Sequence, residues 1–169
     1  MGEALILETS FLIDLEREQN RGTMGPAVGF LGAHEHARLY LTFTVVGELA
    51  AGASLAERGV WESFLGPFYV LQSSPDVCWE YGRAHRYLQS NGRLIGGNDL
   101  WIAATALAYG MPLVTANRAH FAQVSESAPS ARPSQPTGTT WTTSLDIDYM
   151  QCAYCMDEHE DHLPQAGGV

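Results

Sequence analysis

Short apolar runs that alternate with amphipathic segments are the feature that most constrains the fold of this chain. The apolar runs are rich in β-branched and aromatic residues, which is typical of strands, and they occupy residues 4–7, 39–43, 68–71 and 111–115. The segments between them have helical spacing of apolar residues and fall at 11–19, 26–37, 45–52, 55–65, 75–90 and 100–109. Strands that alternate with helices predict an α/β fold with a parallel sheet and helices on both faces.

Hydroxyl side chains mark several of the predicted helix starts. Thr9 and Ser10 offer N-cap groups to the first helix, and Thr44 offers one to the helix after the second strand. Ser74 is followed by Pro75, a cap residue followed by the proline that suits a first helical turn. These residues predict where the helices begin.

Composition excludes several classes of protein. The 169 residues carry a formal net charge of −10 and contain no Lys, which argues against a basic nucleic-acid-coating protein and against a Walker-type phosphate loop. No GxGxxG follows a predicted strand. Three cysteines are too few for a disulfide framework, and no apolar run is long enough to cross a membrane. We expect a cytoplasmic protein without a membrane partner.

The composition changes near residue 125, which predicts three regions. Residues 1–124 form the compact domain, 125–144 are a Ser/Thr/Pro-rich linker, and 145–169 are an acidic tail that we expect to be disordered. The tail contains four residues of types that bind zinc: Cys152, Cys155, His159 and His162. The spacing between Cys155 and His159 is too short for a zinc finger, so a tail without a metal site is the favoured interpretation.

Four polar residues are predicted at the carboxyl edge of the sheet, where parallel α/β folds place their functional groups. Glu8 closes the first strand, Glu48 lies in the first turn after the second, and Asn117 follows the last strand. Asp99 begins the helix that leads into that last strand. Three carboxylates brought together repel one another, and a hard divalent cation such as Mg²⁺ or Mn²⁺ relieves that repulsion.

Each of these residues also has an ordinary structural interpretation. An acidic residue at a helix start stabilises the helix dipole, and Asn117 suits a turn. Their joint placement at one edge favours a site. The other polar candidates are weaker. Among the histidines, we predict surface positions for His34, His36 and His85 and a structural role for His120. The candidate phosphate-binding arginines are Arg83, Arg86, Arg93 and Arg118, the first two of which also suit a solvated helix face.

Four sequence segments, in this order, resemble the PIN-domain ribonucleases, and in particular the VapC-type toxins of toxin–antitoxin pairs. The segments are LILETSFLIDL at 5–15, TFTVVGEL at 42–49, IGGNDLWIAATAL at 95–107 and LVTANRAHF at 113–121. Any one of them alone would be weak evidence. Four in order, within about residues 4–124, form a specific match.

The resemblance implies a three-layer α/β/α sandwich with a central, mostly parallel sheet. It also implies a Mg²⁺ or Mn²⁺ site, RNA as the substrate, a homodimer, and a cognate antitoxin that plugs the site. By the same resemblance, Glu8, Glu48 and Asp99 would be metal ligands, and Asn117 would help to position a second ion or the attacking water. Thr9 or Ser10 would orient Glu8.

The chain departs from the family pattern at two of these positions. Glu8 stands where the family has Asp, and Asn117 stands where many members have Asp. If Glu8 is a ligand held off its best position, Glu8→Asp tightens Mg²⁺ binding, whereas in a site adapted to Glu the same change weakens it. The alternatives are a non-catalytic PIN-like binding module and a small-ligand-binding α/β protein unrelated to RNA.

Overall fold

The computed structural model describes residues 3–125 and residue 127. Its strands are β1 (Ala4–Leu7), β2 (Arg38–Thr42), β3 (Tyr69–Leu71) and β4 (Leu113–Val114). They form one parallel sheet in the order β3-β2-β1-β4. The helices are α1 (Thr9–Arg21), α2 (Pro26–Ala33), α3 (Phe43–Ala51), α4 (Arg58–Leu65), α5 (Pro75–Ser90), α6 (Gly97–Tyr109) and α7 (Arg118–Ser125), with a short 3₁₀ helix at Ala53–Leu55.

The sheet is covered on both faces. Leu5, Ile6 and Leu7 of β1 are all buried, although successive strand residues point to opposite sides of a sheet. Helix α6 is buried without a break from Ile102 to Leu107, which is typical of a helix surrounded by other elements. The α/β prediction with helices on both faces is confirmed, as is the three-layer architecture with a parallel sheet.

The register of the sheet brings the ends of β1 and β4 together. Leu7 pairs with Val114, and the main-chain N–H of Glu8 donates to the Val114 carbonyl at 2.9 Å. Strand β1 also pairs with β2, with Ile6 opposite Tyr40. Because the strands are parallel, their carboxyl ends share one edge, and the residues that follow β1, β2 and β4 gather there.

Two predicted caps are wrong. Helix α1 begins at Thr9, with Glu8 at the N-cap position, so Thr9 and Ser10 lie inside the helix. Helix α3 is capped by Thr42, whose hydroxyl accepts from the Val45 N–H at 3.2 Å, and not by Thr44. As a result Glu48 lies in the second turn of α3 rather than the first. Ser74 caps α5 as predicted.

Most elements differ from prediction only at their ends. Predicted segment 26–37 stops at Ala33, segment 55–65 divides into the 3₁₀ helix and α4, and the last strand is reduced to Leu113–Val114. Helix α6 begins three residues earlier than predicted, and it ends at Gly110, whose φ of 61° is the left-handed conformation that glycine adopts readily. Helix α7 was not predicted as an element.

The predicted linker and tail, including the four potential zinc ligands, lie outside the described residues apart from residues 125 and 127. The division at 124 therefore stays a prediction. Within residues 3–125 and 127, no helix combines the length and the apolar character needed to span a bilayer.

Arg83 ties α5 to the end of the described chain, so its predicted place on a solvated helix face is wrong. Its Nε donates to the buried Glu80 carboxylate at 2.9 Å, and its Nη1 donates to the carbonyl oxygen of Ser127. The Ser127 N–H in turn donates to the Val124 carbonyl at 2.9 Å. The guanidinium is thus engaged within the fold, and the contact gives residue 127 a structural role.

We predict that a chain ending at Ser127 folds as the full chain does, whereas a chain ending at Val124 is less stable. The shorter chain removes the carbonyl that accepts from Arg83, and a hydrogen bond to a charged group contributes about 1.5–3 kcal/mol. Urea unfolding of both chains measures the difference. Arg83→Met in each is the control, since it should abolish the difference; equal stability of the two unsubstituted chains would contradict the prediction.

Candidate active site

Glu8 places a buried carboxylate at the junction of β1 and β4. The residue is only 6% exposed. The Ser10 hydroxyl donates to its Oε2, and the Thr115 hydroxyl donates to the same oxygen at 3.1 Å. A buried carboxylate needs such donors because it has lost its contact with water.

The Glu8 side chain does not cap α1, although the residue occupies the N-cap position. Its carboxylate is held instead across the sheet edge by Thr115, a residue that is itself only 1% exposed. The Ser10 hydroxyl also accepts from the Ala116 N–H at 3.3 Å, which joins α1 to the segment after β4. The ordinary interpretation of Glu8 as a helix-start acid therefore does not describe its contacts.

Glu48 is held from two sides. Its Oε2 accepts from the Thr9 hydroxyl, and its Oε1 accepts from the Asn98 side-chain amide at 2.7 Å. Thr9 belongs to α1 and Asn98 to α6, so the carboxylate of α3 bridges two other helices. Sequence reasoning assigned Thr9 or Ser10 to Glu8; the contacts divide them, with Ser10 on Glu8 and Thr9 on Glu48. Asn98 was not predicted.

Asp99 and Asn117 meet through His120. The Nδ1 atom of His120 lies 3.3 Å from Asp99 Oδ2 and 2.9 Å from Asn117 Nδ2. The Asn117 N–H also donates to the Thr115 hydroxyl at 2.9 Å, which connects this group to Glu8. His120, predicted to be structural, therefore contacts two of the candidate site residues. Its position three residues after Asn117, at the start of a helix, was the available signal, because that spacing brings side chains together.

These contacts link all four predicted residues at one edge of the sheet. Ser10 and Thr115 hold Glu8, and Asn117 and His120 connect Thr115 to Asp99. Asn98, the neighbour of Asp99, and Thr9, the neighbour of Glu8, both bind Glu48. Hydrogen bonds and peptide bonds together thus connect all four residues in one continuous network at this edge.

The oxygen atoms of these four side chains are of the type that bind a hard cation. Carboxylate and amide oxygens are the ligands that Mg²⁺ and Mn²⁺ prefer. Among the residues that the structure describes, however, no three His, Cys, Asp or Glu side chains are close enough together to share one ion. The carboxylates of Glu8 and Glu48 instead accept from neighbouring hydroxyl and amide groups, and that of Asp99 lies beside the His120 ring. The residue types therefore fit a divalent cation, and binding one would require exchange of some of these hydrogen bonds.

Three of the other predicted candidates have contacts or exposure of their own. Arg118 is exposed at the first position of α7, beside Asn117. Arg86 is exposed on α5, with its guanidinium carbon 6.0 Å from the centre of the Trp79 ring. His34 pairs with Glu3 at 2.8 Å.

The chain is similar to known proteins over the part that contains this edge. The profile of the PIN domain family matches residues 5–127. Ribonuclease VapC1 from Haemophilus influenzae strain R2866 is 33% identical over 95 residues, which cover 53% of this chain and 70% of that protein.

Two solved structures share the fold. VapBC-1 from nontypeable Haemophilus influenzae matches with a TM-score of 0.57 and 27% identity over 73% of this chain and 93% of that one. FitAcB from Neisseria gonorrhoeae matches with a TM-score of 0.60 and 23% identity, covering 72% of this chain and 93% of that one. The second, at its lower identity, supports the fold alone.

Thr115→Val is expected to lower the free energy of unfolding by about 1–3 kcal/mol. The substitution keeps the shape of the side chain but removes the acceptor of the Asn117 N–H and leaves the buried Glu8 carboxylate with the Ser10 hydroxyl and without that of Thr115. Thr105→Val is the matched control, since Thr105 is equally buried and its hydroxyl donates only to the Trp101 carbonyl within α6. Chemical unfolding that gave the same loss for both variants would show that the Glu8 contact has no special weight.

Proposed function

Because the chain belongs to the PIN-domain family, we propose that it is a metal-dependent endoribonuclease, the toxin component of a type II toxin–antitoxin pair. The observation that carries the proposal is the gathering of Glu8, Glu48, Asp99 and Asn117 at one sheet edge through a connected set of hydrogen bonds. The residues come from four separate segments of the chain, so their meeting is a property of the fold. The name of the 33% identical relative, Ribonuclease VapC1, supports the same reaction class.

The proposed cofactor is Mg²⁺ or Mn²⁺, with Glu8, Glu48 and Asp99 as its ligand residues and Asn117 beside them. When bound, a divalent cation supplies a water nucleophile active at neutral pH and stabilises the oxygen that leaves the phosphodiester. The oxygen-rich donor set supports this assignment. The carboxylates would otherwise repel a phosphate group, since both carry negative charge.

The surrounding hydroxyl and amide groups would orient the carboxylates. Thr9 contacts Oε2 of Glu48 and Asn98 contacts Oε1, so together they fix the plane of its carboxylate. Ser10 and Thr115 both contact Oε2 of Glu8. Partners of this kind tune metal ligands in many sites, and their removal commonly costs about 10–100-fold in metal affinity or activity. This framework lets the longer Glu8 side chain serve where the family has Asp.

The proposed partners are RNA, a cognate antitoxin and a second copy of the chain. The VapBC-1 structure, 27% identical to this chain, carries the name of a VapBC assembly and supports an antitoxin partner. Arg118, exposed beside Asn117, is placed to meet a phosphate of the substrate. The homodimer follows from the resemblance to VapC-type toxins.

The direct test is cleavage of single-stranded RNA by the purified chain with Mg²⁺ or Mn²⁺, compared with the same reaction in EDTA. Cleavage that depends on the added metal supports the proposal. Cleavage that persists in EDTA would contradict metal dependence. A well-folded chain without cleavage under any of these conditions would favour the non-catalytic binding module instead.

Asp99→Asn should abolish metal-dependent cleavage and leave the fold intact. The change removes one negative charge from the proposed ligand set at almost constant size, which weakens cation binding. Asp76→Asn is the matched control, since Asp76 also lies in the first turn of a helix but on α5. RNA cleavage and circular dichroism of both variants make the comparison. Full activity of folded Asp99→Asn would remove this residue from the proposed site.

Glu8→Asp should reduce cleavage about tenfold or more. The contacts of Glu8 favour a site adapted to Glu, because shortening the side chain withdraws its carboxylate by about 1.5 Å from Thr115, and a displacement of about 1 Å can cost on the order of a hundredfold. Glu62→Asp, on the exposed face of α4, is the control. The measurement is the initial rate of RNA cleavage by each variant. A Glu8→Asp rate above that of the parent would contradict the prediction and indicate that the Glu8 carboxylate extends too far into the site.

A further inference from the structure

We propose that His120 is a positioning residue that sets the geometry of Asp99 and Asn117 through its Nδ1 atom. The proposal deepens the proposed function and rests on it. The His120 side chain contacts both Asp99 and Asn117, and the two contacts, 3.3 Å to Asp99 Oδ2 and 2.9 Å to Asn117 Nδ2, fall on the same ring nitrogen.

The two contacts make the Asp99 and Asn117 side chains depend on each other. A carboxylate only accepts hydrogen bonds, so Asp99 is satisfied when Nδ1 carries the hydrogen. The same N–H then faces Asn117, whose amide must turn its oxygen toward the ring. If Nδ1 lacks the hydrogen, it accepts from the Asn117 NH₂ group and faces the Asp99 oxygen with a lone pair. The tautomer of His120 therefore decides which end of the Asn117 amide is left for the substrate.

The fold holds His120 firmly in this place. His120 is the third residue of α7. The next residue, Phe121, is completely buried, and Val124 of the same helix is 1% exposed. Helix α7 packs against α6, which carries Asp99 in its first turn. The His120 ring thus lies next to the buried Phe121 on α7 and contacts the Asp99 carboxylate on α6.

Stability alone does not account for this arrangement. The His120 side chain is 48% exposed and that of Asp99 is 27% exposed. An ion pair or hydrogen bond in such a position contributes little to folding, because water competes for both partners. A group that orients a metal ligand has a larger effect on the site than on the fold, since partners of metal ligands commonly change affinity or activity about 10–100-fold.

Three substitutions separate the two ring nitrogens. In His120→Asn the amide nitrogen is the same number of bonds from Cβ as Nδ1, and in His120→Gln it matches Nε2. His120→Ala removes both. We expect the Ala and Gln variants to lose about 10–100-fold in kcat with little change in KM for RNA, and the Asn variant to stay within about threefold of the parent. His36→Ala, which alters an exposed histidine on the turn after α2, is the control.

A second measurement, Mn²⁺ binding without RNA, keeps the test independent of cleavage. The Ala and Gln variants should bind Mn²⁺ about tenfold more weakly than the parent, with unchanged Tm, and the Asn variant should bind as the parent does. Parental values of kcat and Mn²⁺ affinity in His120→Ala would overturn the proposal. So would rescue by Gln instead of Asn, or loss of kcat in all three variants with unchanged Mn²⁺ affinity.

The two proposals fail in different ways. A parent chain that binds Mn²⁺ but cuts no RNA would contradict the proposed nuclease, while the order of Mn²⁺ affinities among the variants would still support or overturn the role of His120. A parent chain that binds no Mn²⁺ and cuts RNA without metal would overturn the positioning role and leave a ribonuclease.

Discussion

The hydrogen bond between the Thr115 hydroxyl and the buried Glu8 carboxylate connects the two strand ends on which the rest of the site depends. It spans 107 residues of sequence and lies where β1 and β4 run side by side. The carboxylate has little contact with water, so its partners have to come from the protein. Because the Thr115 hydroxyl also accepts from the Asn117 N–H, one side chain fixes both Glu8 and the start of the segment that carries Asn117 and His120.

The presence of Glu at position 8, where the resemblance implies Asp, gains a physical explanation from these contacts. A longer side chain reaches past the end of β1 to the hydroxyls of Ser10 and Thr115. The extra methylene would be a source of freedom in an open site, but here both hydrogen bonds restrain it. Glu48 is restrained in the same manner, between α1 and α6, by Thr9 and Asn98. The edge is therefore organised by hydroxyl and amide groups, of which the resemblance implies a role for Thr9 or Ser10 but none for Thr115 or Asn98.

Local rules failed where longer-range partners competed for the same side chains. Thr9 and Ser10 have good cap chemistry, yet α1 begins one residue after Glu8 and their hydroxyls bind carboxylates instead. Thr42 takes the cap that was assigned to Thr44, since the second strand ends one residue sooner than its aromatic content suggested. The contact of His120 with Asp99 spans 21 residues, a separation at which no local pattern predicts that two side chains meet. The carbonyl partner of Arg83 is likewise 44 residues away, so the helical pattern around Arg83 does not reveal it.

The sequence by itself determined the alternation of strands and helices, the parallel sheet, and the four polar residues at its carboxyl edge. These follow from periodicity and from the rule that parallel strands end on one side, both of which are readable over a few residues. Only the tertiary structure decided which hydroxyl meets which carboxylate, and that Asn98 and His120 join them. The partners are separated by 39 residues for Thr9 and Glu48 and by 50 for Asn98 and Glu48. Side-chain pairing at such separations depends on strand register and helix packing, which no local pattern specifies.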